Sequence, residues 1–305
     1  MPLNLDPEDL LKELEWTVIR RLDGLFQGDY RTLFRGFGLD LADLREYQPG
    51  DDVRYIDWNV TARLQRPFIR EYNEDREVTA WFLLDISPSV DFGSTEVKKR
   101  ELLVRFVSII ARLLIRHGNR VGAIFYSGQI EQIIPAHGGR SHLLHLLDSL
   151  VSSRVSTKAA ATRLADVLST ARRFLNRRSL IFLVSDFYSE PGWQQELGSL
   201  ALKNEVLAVR VFDPLEQELP DVGVVVMSDS ETGEQMLVDT HSRSFRKRYA
   251  AAAREHEESL RQALATAGVD GLELSTDDDL VDAFMRFSAV RKQFSQARHS
   301  AGGVP

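Results

Sequence analysis

The sequence predicts an α/β protein built on a doubly wound, mostly parallel sheet, and three observations carry that expectation. Short continuous apolar runs, Val78–Leu84, Leu180–Ser185 and Val206–Phe212, read as strands covered on both faces. The segments between them repeat apolar residues with helical periodicity, and strands alternating with helices are the mark of βαβ units and a three-layer Rossmann-type arrangement. The 305 residues suffice for one large domain or two small ones at roughly 150 residues each, with a substantial core.

Taken in order, residues 8–27 read as a helix, with Leu10, Leu14, Trp16 and Ile19 among its apolar positions. The stretch from Gly28 to Glu77 is lysine-free and punctuated by Gly36, Gly38, Pro49, Gly50 and Pro67. Ten acids and six arginines between Asp40 and Glu77 leave it at −4. Aromatic residues interleave with those charges, so it reads as an ordered, mostly non-helical segment crossing the next domain, with Tyr47 and Trp58 as buried anchors. After the first buried strand a helix is expected from about Glu96 to His117, with Leu102, Phe106, Ile109 and Leu113 inside and Arg105, Arg112 and Arg116 outside. Gly118 stands where a left-handed cap belongs.

Arg120–Tyr126 and Gln129–Pro135 form a hairpin through Ser127-Gly128. Helices over 140–152 and 162–176 precede the strand Leu180–Ser185, and a short helix over 193–203 precedes the strand Val206–Phe212. A hairpin over 222–239, a long helix over 242–267, a strand Leu272–Ser275 and a helix from Asp279 to about Arg298 complete the chain. The implied division is an N-terminal helix and charged segment over 1–75, an α/β domain over 76–285 with the inserted hairpin 222–239, and the end of the last helix with its tail over 286–305.

Composition narrows the function. Lys and Arg number 38 against 45 Asp and Glu, and a net charge of −7 argues against gripping nucleic acid by bulk charge. Without cysteine there is no disulfide, thiolate nucleophile or thiolate-bound zinc, so a metal would sit on oxygen or imidazole. The acidic N-terminus lacks the layout of a signal peptide, and the stretch Leu102–Ile115 is too short and too charged to span a bilayer. A cytoplasmic protein without membrane insertion is expected.

In an open parallel sheet, ligands bind beyond the carboxyl ends of the strands where strand order reverses. There the sequence places Asp85-Ile-Ser87-Pro-Ser89 after the first buried strand and Asp186 after Leu180–Ser185, with Thr162 opening a helix between them. Two carboxylates and three hydroxyls are hard oxygen donors, the set preferred by Mg²⁺ or Mn²⁺. Two aspartates leave little net charge on a divalent ion, so an incoming carboxylate would complete the shell.

These five residues resemble the metal-ion-dependent adhesion site of von Willebrand factor A-like domains. Upstream, Gly36-Phe-Gly-Leu-Asp40, the run Leu44 to Asn59 containing Tyr-Gln-Pro-Gly-Asp-Asp-Val-Arg-Tyr-Ile-Asp-Trp, Ala62-Arg63 and Phe68-Ile-Arg-Glu71 resemble the signature of the bacterial domain-of-unknown-function family numbered fifty-eight. Members of that family couple the segment to an A-like domain, and the two resemblances cover roughly residues 28–290. They imply association with a MoxR-type AAA+ ATPase, the A-like domain acting as adaptor or substrate-presenting partner, while the metal site calls for a protein that presents an exposed carboxylate to the ion. Where that pattern has glycines before its threonine, this chain has Ala160 and Ala161.

Other readings compete. Asp51, Asp52, Arg54, Asp57 and Arg63 belong either to an ion-pair web or to a partner-binding surface, and in the second case the protein is a metal-independent scaffold. His142 and His145, one helical turn apart with His137 nearby, lack a fourth ligand, and Gly138-Gly139-Arg140-Ser141 at a helix start reads as a turn or an anion site. Enzyme signatures are missing: there is no phosphate-binding G-x-x-x-x-G-K-[ST] loop and no Gly-x-Ser-x-Gly elbow. A Mg²⁺-dependent phosphohydrolase with Asp85 as nucleophile is the enzyme alternative, but Ser87 occupies the place where that chemistry needs a second acid. The expectation is a non-enzymatic, metal-dependent interaction module.

Overall fold

The computed structural model describes residues 6–14, 44–48, 53, 56, 58, 61–62, 66–70, 78–94, 97–153, 163–175, 177–229 and 233–287. In chain order its elements are α1 (Pro7–Leu14), β1 (Leu44–Glu46), β2 (Phe68–Arg70), β3 (Thr79–Asp85), α2 (Lys99–Arg116), β4 (Arg120–Tyr126), β5 (Ile130–His137) and α3 (Arg140–Ser152). There follow α4 (Leu164–Phe174), β6 (Leu180–Ser185), α5 (Trp193–Ala201), β7 (Glu205–Phe212), β8 (Val224–Ser228), β9 (Gln235–Asp239), α6 (Arg243–Ala267) and β10 (Asp270–Ser275). Helix α7 runs through the last described residues, 280–287.

Six strands form the central sheet in the order β10-β7-β6-β3-β4-β5. All neighbours are parallel except β4 and β5, which are joined by the expected hairpin. This is the α/β class predicted from sequence. From β3 the chain steps outward to β4 and β5, then returns to β6 on the other side and steps outward again to β7 and β10. The switch point therefore lies between β3 and β6.

The core has two halves. On one face of the sheet Ala80, Phe82 and Leu84 pack with α1, α2, α3 and α7; on the other, Leu83 and Ile181 pack with α4, α5 and α6. Phe82 and Phe182, paired across β3 and β6, stack at 4.9 Å, with the Phe106 ring edge-on to Phe182 at 6.0 Å. Beyond its expected stripe, α2 also buries Leu103, Val104, Val107, Ile110, Ala111 and Leu114. Leu10, Leu11 and Leu14 of α1 belong to the same core cluster, and α1 packs on both α2 and α3. The cover that α1 supplies explains why a helix that reads as amphipathic is buried nearly all round. Gly118 closes α2 at φ +80°, the left-handed conformation its position requires.

The β1–β2 pair and the β8–β9 hairpin are separate two-stranded ribbons. Trp58 corrects an expectation: it is 69% exposed, so it anchors nothing in the core. Aromatic residues among mixed charges show that a segment has something to bury, without showing which rings are covered. Thr162, Asp51, Asp52, Arg54, Asp57 and Arg63 lie outside the described residues, as do Trp16 and Ile19 of the expected first helix.

Gly122 of β4 pairs with Trp81, and a Cβ there would meet the Trp81 ring at 2.8 Å and the Ala136 amide nitrogen at 3.0 Å. Backbone on the far side leaves no room to relax. Gly122→Ala is expected to cost about 1–3 kcal/mol, seen as a lower urea midpoint; an unchanged midpoint would mean the Trp81 ring is free to swing away.

Candidate functional site

Asp85 is the last residue of β3, and the chain leaves the sheet through Ile86 into a short 3₁₀ turn, Pro88–Asp91. Asp85 is 1% exposed. The Ser87 amide donates to its Oδ1 at 3.0 Å and the Ser185 hydroxyl to its Oδ2 at 2.6 Å. Alternation past the strand end brings the Ser87 and Ser89 hydroxyls to 3.0 Å from each other. Burial first, and then the neighbouring charge of Asp186, push the Asp85 carboxyl up to about 7, against the opposing hydrogen bonds from Ser185 and Ser87. Tyr126, the residue of β4 paired with Asp85, has a buried hydroxyl with no hydrogen-bond partner among the described residues.

Asp186 follows β6 and is also 1% exposed. Its Oδ1 accepts the Tyr188 amide at 3.1 Å and its Oδ2 accepts the Lys99 ammonium at 3.0 Å. Phe187 between them has φ +62°, the one non-glycine in the left-handed region among the described residues. Holding a bulky residue there costs on the order of 1–3 kcal/mol. The Phe187 amide donates to the Ser185 hydroxyl, and the buried ring packs on Trp193. The turn thus aims Ser185 and Asp186 at the same edge of the sheet. The Leu164 amide donates to the Ser189 hydroxyl, so the helix that follows Thr162 in sequence starts against this loop.

Lys99, Glu216 and Asp213 escaped the sequence reading. Lys99 opens α2 wholly buried, and its ammonium also donates to Glu216 Oε1 at 2.6 Å. Burial works against that charge, but Asp186 and Glu216 outweigh it and hold the pKa above the ordinary lysine value. The signal available in the sequence was Lys98-Lys99-Arg100, three cations opening a helix where its macrodipole disfavours them. Asp213, just past β7, accepts from the Ser94 amide and hydroxyl, the Leu215 amide and the Thr276 hydroxyl, while its own amide donates to Glu216 Oε2. It ties the loops after β3, β7 and β10 into one rim. Burial pushes its carboxyl up, but those hydrogen bonds together hold it below the usual value.

The donor set can be tested against a divalent cation. In octahedral coordination at about 2.1 Å, neighbouring ligand oxygens stand about 3.0 Å apart. The hydroxyls of Ser87 and Ser89 already have that separation. The Ser87 amide on Oδ1 and the Ser185 hydroxyl on Oδ2 do not exhaust the Asp85 carboxylate, whose two oxygens offer about four lone-pair sites. Among the described residues no group of three or more histidine or acidic side chains suits a metal by itself, so an ion here depends on serine hydroxyls. Of the histidine pair, His142 is engaged elsewhere: one of its ring nitrogens contacts the Val121 carbonyl at 2.7 Å.

Fold and site together define a doubly wound α/β protein with a polar, carboxylate-bearing centre at its topological switch point. The chain belongs to the DUF58 family, described as "Protein of unknown function DUF58", whose pattern matches residues 43–259. Uncharacterized proteins of Mycobacterium tuberculosis and Mycobacterium bovis are each 36% identical to it over 291 residues, spanning 95% of this chain and 91% of theirs. Similar solved structures include the conserved hypothetical protein BatB from Bacteroides thetaiotaomicron, at 15% identity and TM-score 0.46 over 71% of this chain and 99% of that one. The SpRpn10 VWA domain is similar at 10% identity and TM-score 0.39 over 69% of this chain and 95% of that one. Among the described residues no helix is long and apolar enough to cross a membrane.

Proposed function

We propose that this protein is a non-catalytic interaction module whose switch-point site binds Mg²⁺ or Mn²⁺ and, through it, an acidic side chain of a partner protein. One observation carries the reading: a buried carboxylate, Asp85, stands beside two hydroxyls spaced 3.0 Å apart at the reversal of strand order. Asp85, Ser87 and Ser89 would hold the ion, with Thr162, which precedes α4 in sequence, and Asp186 through water. The ion would supply positive charge for an incoming carboxylate; the protein's own groups fix the hydroxyls and exclude bulk water. The family resemblance makes a MoxR-type AAA+ ATPase in the cytoplasm the assembly in which the module works, as adaptor or presenter.

A scaffold binding through residues 40–77 without metal is the second reading, favoured by the exposure of Trp58 and Val53 on that segment. One experiment separates the two. Mn²⁺ and Mg²⁺ are titrated by calorimetry into chelator-stripped protein and its Asp85→Ala variant, and association with the purified ATPase is measured with and without chelator. Saturable ion binding and ATPase association, both lost in the variant and the second also lost with chelator, are expected. Association indifferent to chelator and to Asp85→Ala would overturn the metal reading in favour of the scaffold.

A further inference from the structure

Lys99 is an expensive residue to place where it stands. Its side chain is 0% exposed, and it sits in the first turn of α2, where the helix dipole adds to its own charge. A buried ammonium is tolerated only when opposing charge and hydrogen bonds compensate its lost hydration. Leucine or methionine would fill the same space without that cost, so packing does not account for the lysine.

What the ammonium does is visible in the acceptors it takes. Both oxygens of Asp186 are engaged, one by the Tyr188 amide and one by Lys99. Both oxygens of Glu216 are engaged too, one by Lys99 and one by the Asp213 amide. Of the carboxylates at this end of the sheet, Asp186 and Glu216 are turned onto a fixed cation. Asp85 is held by neutral donors, Ser87 and Ser185; Asp213 is too, but its two oxygens are taken up by four hydrogen bonds.

Resting on the cation-site reading above, we infer that Lys99 is the specificity-determining residue of the site. Its ammonium withdraws Asp186 and Glu216 from direct ligation, leaving Asp186 at most a water-mediated role, and repels a second cation. Asp85 and two hydroxyls then hold a divalent ion weakly, and a partner's carboxylate supplies the missing negative ligand. Ion and acidic partner therefore bind as a cooperative pair, each raising the other's affinity by the same factor. A site with both aspartates free would take the ion alone and gain little from the partner.

The test uses the full chain, Mn²⁺ as the metal probe and acetate as the carboxylate probe. In the wild type, saturating acetate is expected to raise Mn²⁺ affinity about fivefold or more. In Lys99→Met/Glu216→Gln, which removes the ammonium while leaving Asp186 free, Mn²⁺ alone is expected to bind about tenfold more tightly, with the acetate effect gone. Adding Asp85→Ala to either background should abolish the binding and so assign it to this site. Asp85-dependent Mn²⁺ binding that is no tighter in the double variant, or that is indifferent to acetate in the wild type, overturns the role of Lys99 and leaves the cation site standing. No Asp85-dependent binding in any variant overturns both. The acetate measurement needs only the wild type, so the inference stays open to refutation even if the double variant does not fold.

Discussion

Lys99→Met is expected to destabilise the metal-free protein by about 3–5 kcal/mol, the usual consequence of removing one partner from a buried ion pair. The magnitude follows from burial: Lys99 and Asp186 are 0% and 1% exposed, and Glu216 is 16% exposed. Without the ammonium, Asp186 keeps only the Tyr188 amide and Glu216 only the Asp213 amide. Asp186, at 1% exposure, has no access to water that could replace the lost charge. Against a total stability of roughly 5–15 kcal/mol for a typical domain, the loss should be plain as a lower urea midpoint at unchanged slope. Lys99→Met/Glu216→Gln should lose less, because one of the two stranded charges goes with the lysine. Excess Mn²⁺ should recover part of the loss in both variants, since a ligand that binds only the folded state stabilises it. A midpoint unmoved by Lys99→Met would mean that the two carboxylates find water or protons at no cost, and the bridge would then be no structural element.

Much of the fold was legible because parallel strands covered on both faces leave an unmistakable apolar run. Leu180–Ser185 and Arg120–Tyr126 were bounded to the residue, and the helix over 140–152 likewise. The positions of Asp85, Ser87, Ser89 and Asp186 followed from one rule, that side chains just past the ends of switch-point strands share an edge. Illegible features depend on contacts between distant parts of the chain. Lys99 and Glu216 are 117 residues apart, and Asp213 meets Ser94 across 119. No periodicity carries such a pairing. The near-complete burial of α2 was hidden for the same reason: its cover, α1, comes from the start of the chain and, among the described residues, contributes Leu10, Leu11 and Leu14. The cationic opening of α2 was a readable anomaly, and a local rule broken without local compensation is the pattern that marks a functional site.

Asp85 makes the stability of the metal-free protein fall as pH rises. Its carboxyl has an ordinary value of 3.8 when unfolded and about 7 when folded, because burial and Asp186 favour the protonated form. The folded state therefore holds a proton that the unfolded state has released. This contribution is fully present below pH 3.8, declines across the interval between the two values, and is lost as pH passes through 7. Its full size is about 4 kcal/mol on the order-of-magnitude scale of one decade per 1.36 kcal/mol. Glu216, which burial also raises against the pull of Lys99, adds a slope of the same sign, so the effect is read as a difference between the wild type and Asp85→Asn. In urea denaturation at pH 5, 6, 7 and 8 with chelator present, the wild type should lose ground to the variant with each step and fall below it at pH 8. A divalent ion reverses the sign for the wild type alone: it binds the ionised carboxylate and displaces the proton, so the stabilisation by Mn²⁺ should grow from pH 6 to pH 8. Parallel curves for the two proteins would mean that Asp85 is ionised without penalty, compensated by a donor beyond Ser87 and Ser185. The site would then lack the uncompensated negative charge that makes a cation its natural occupant.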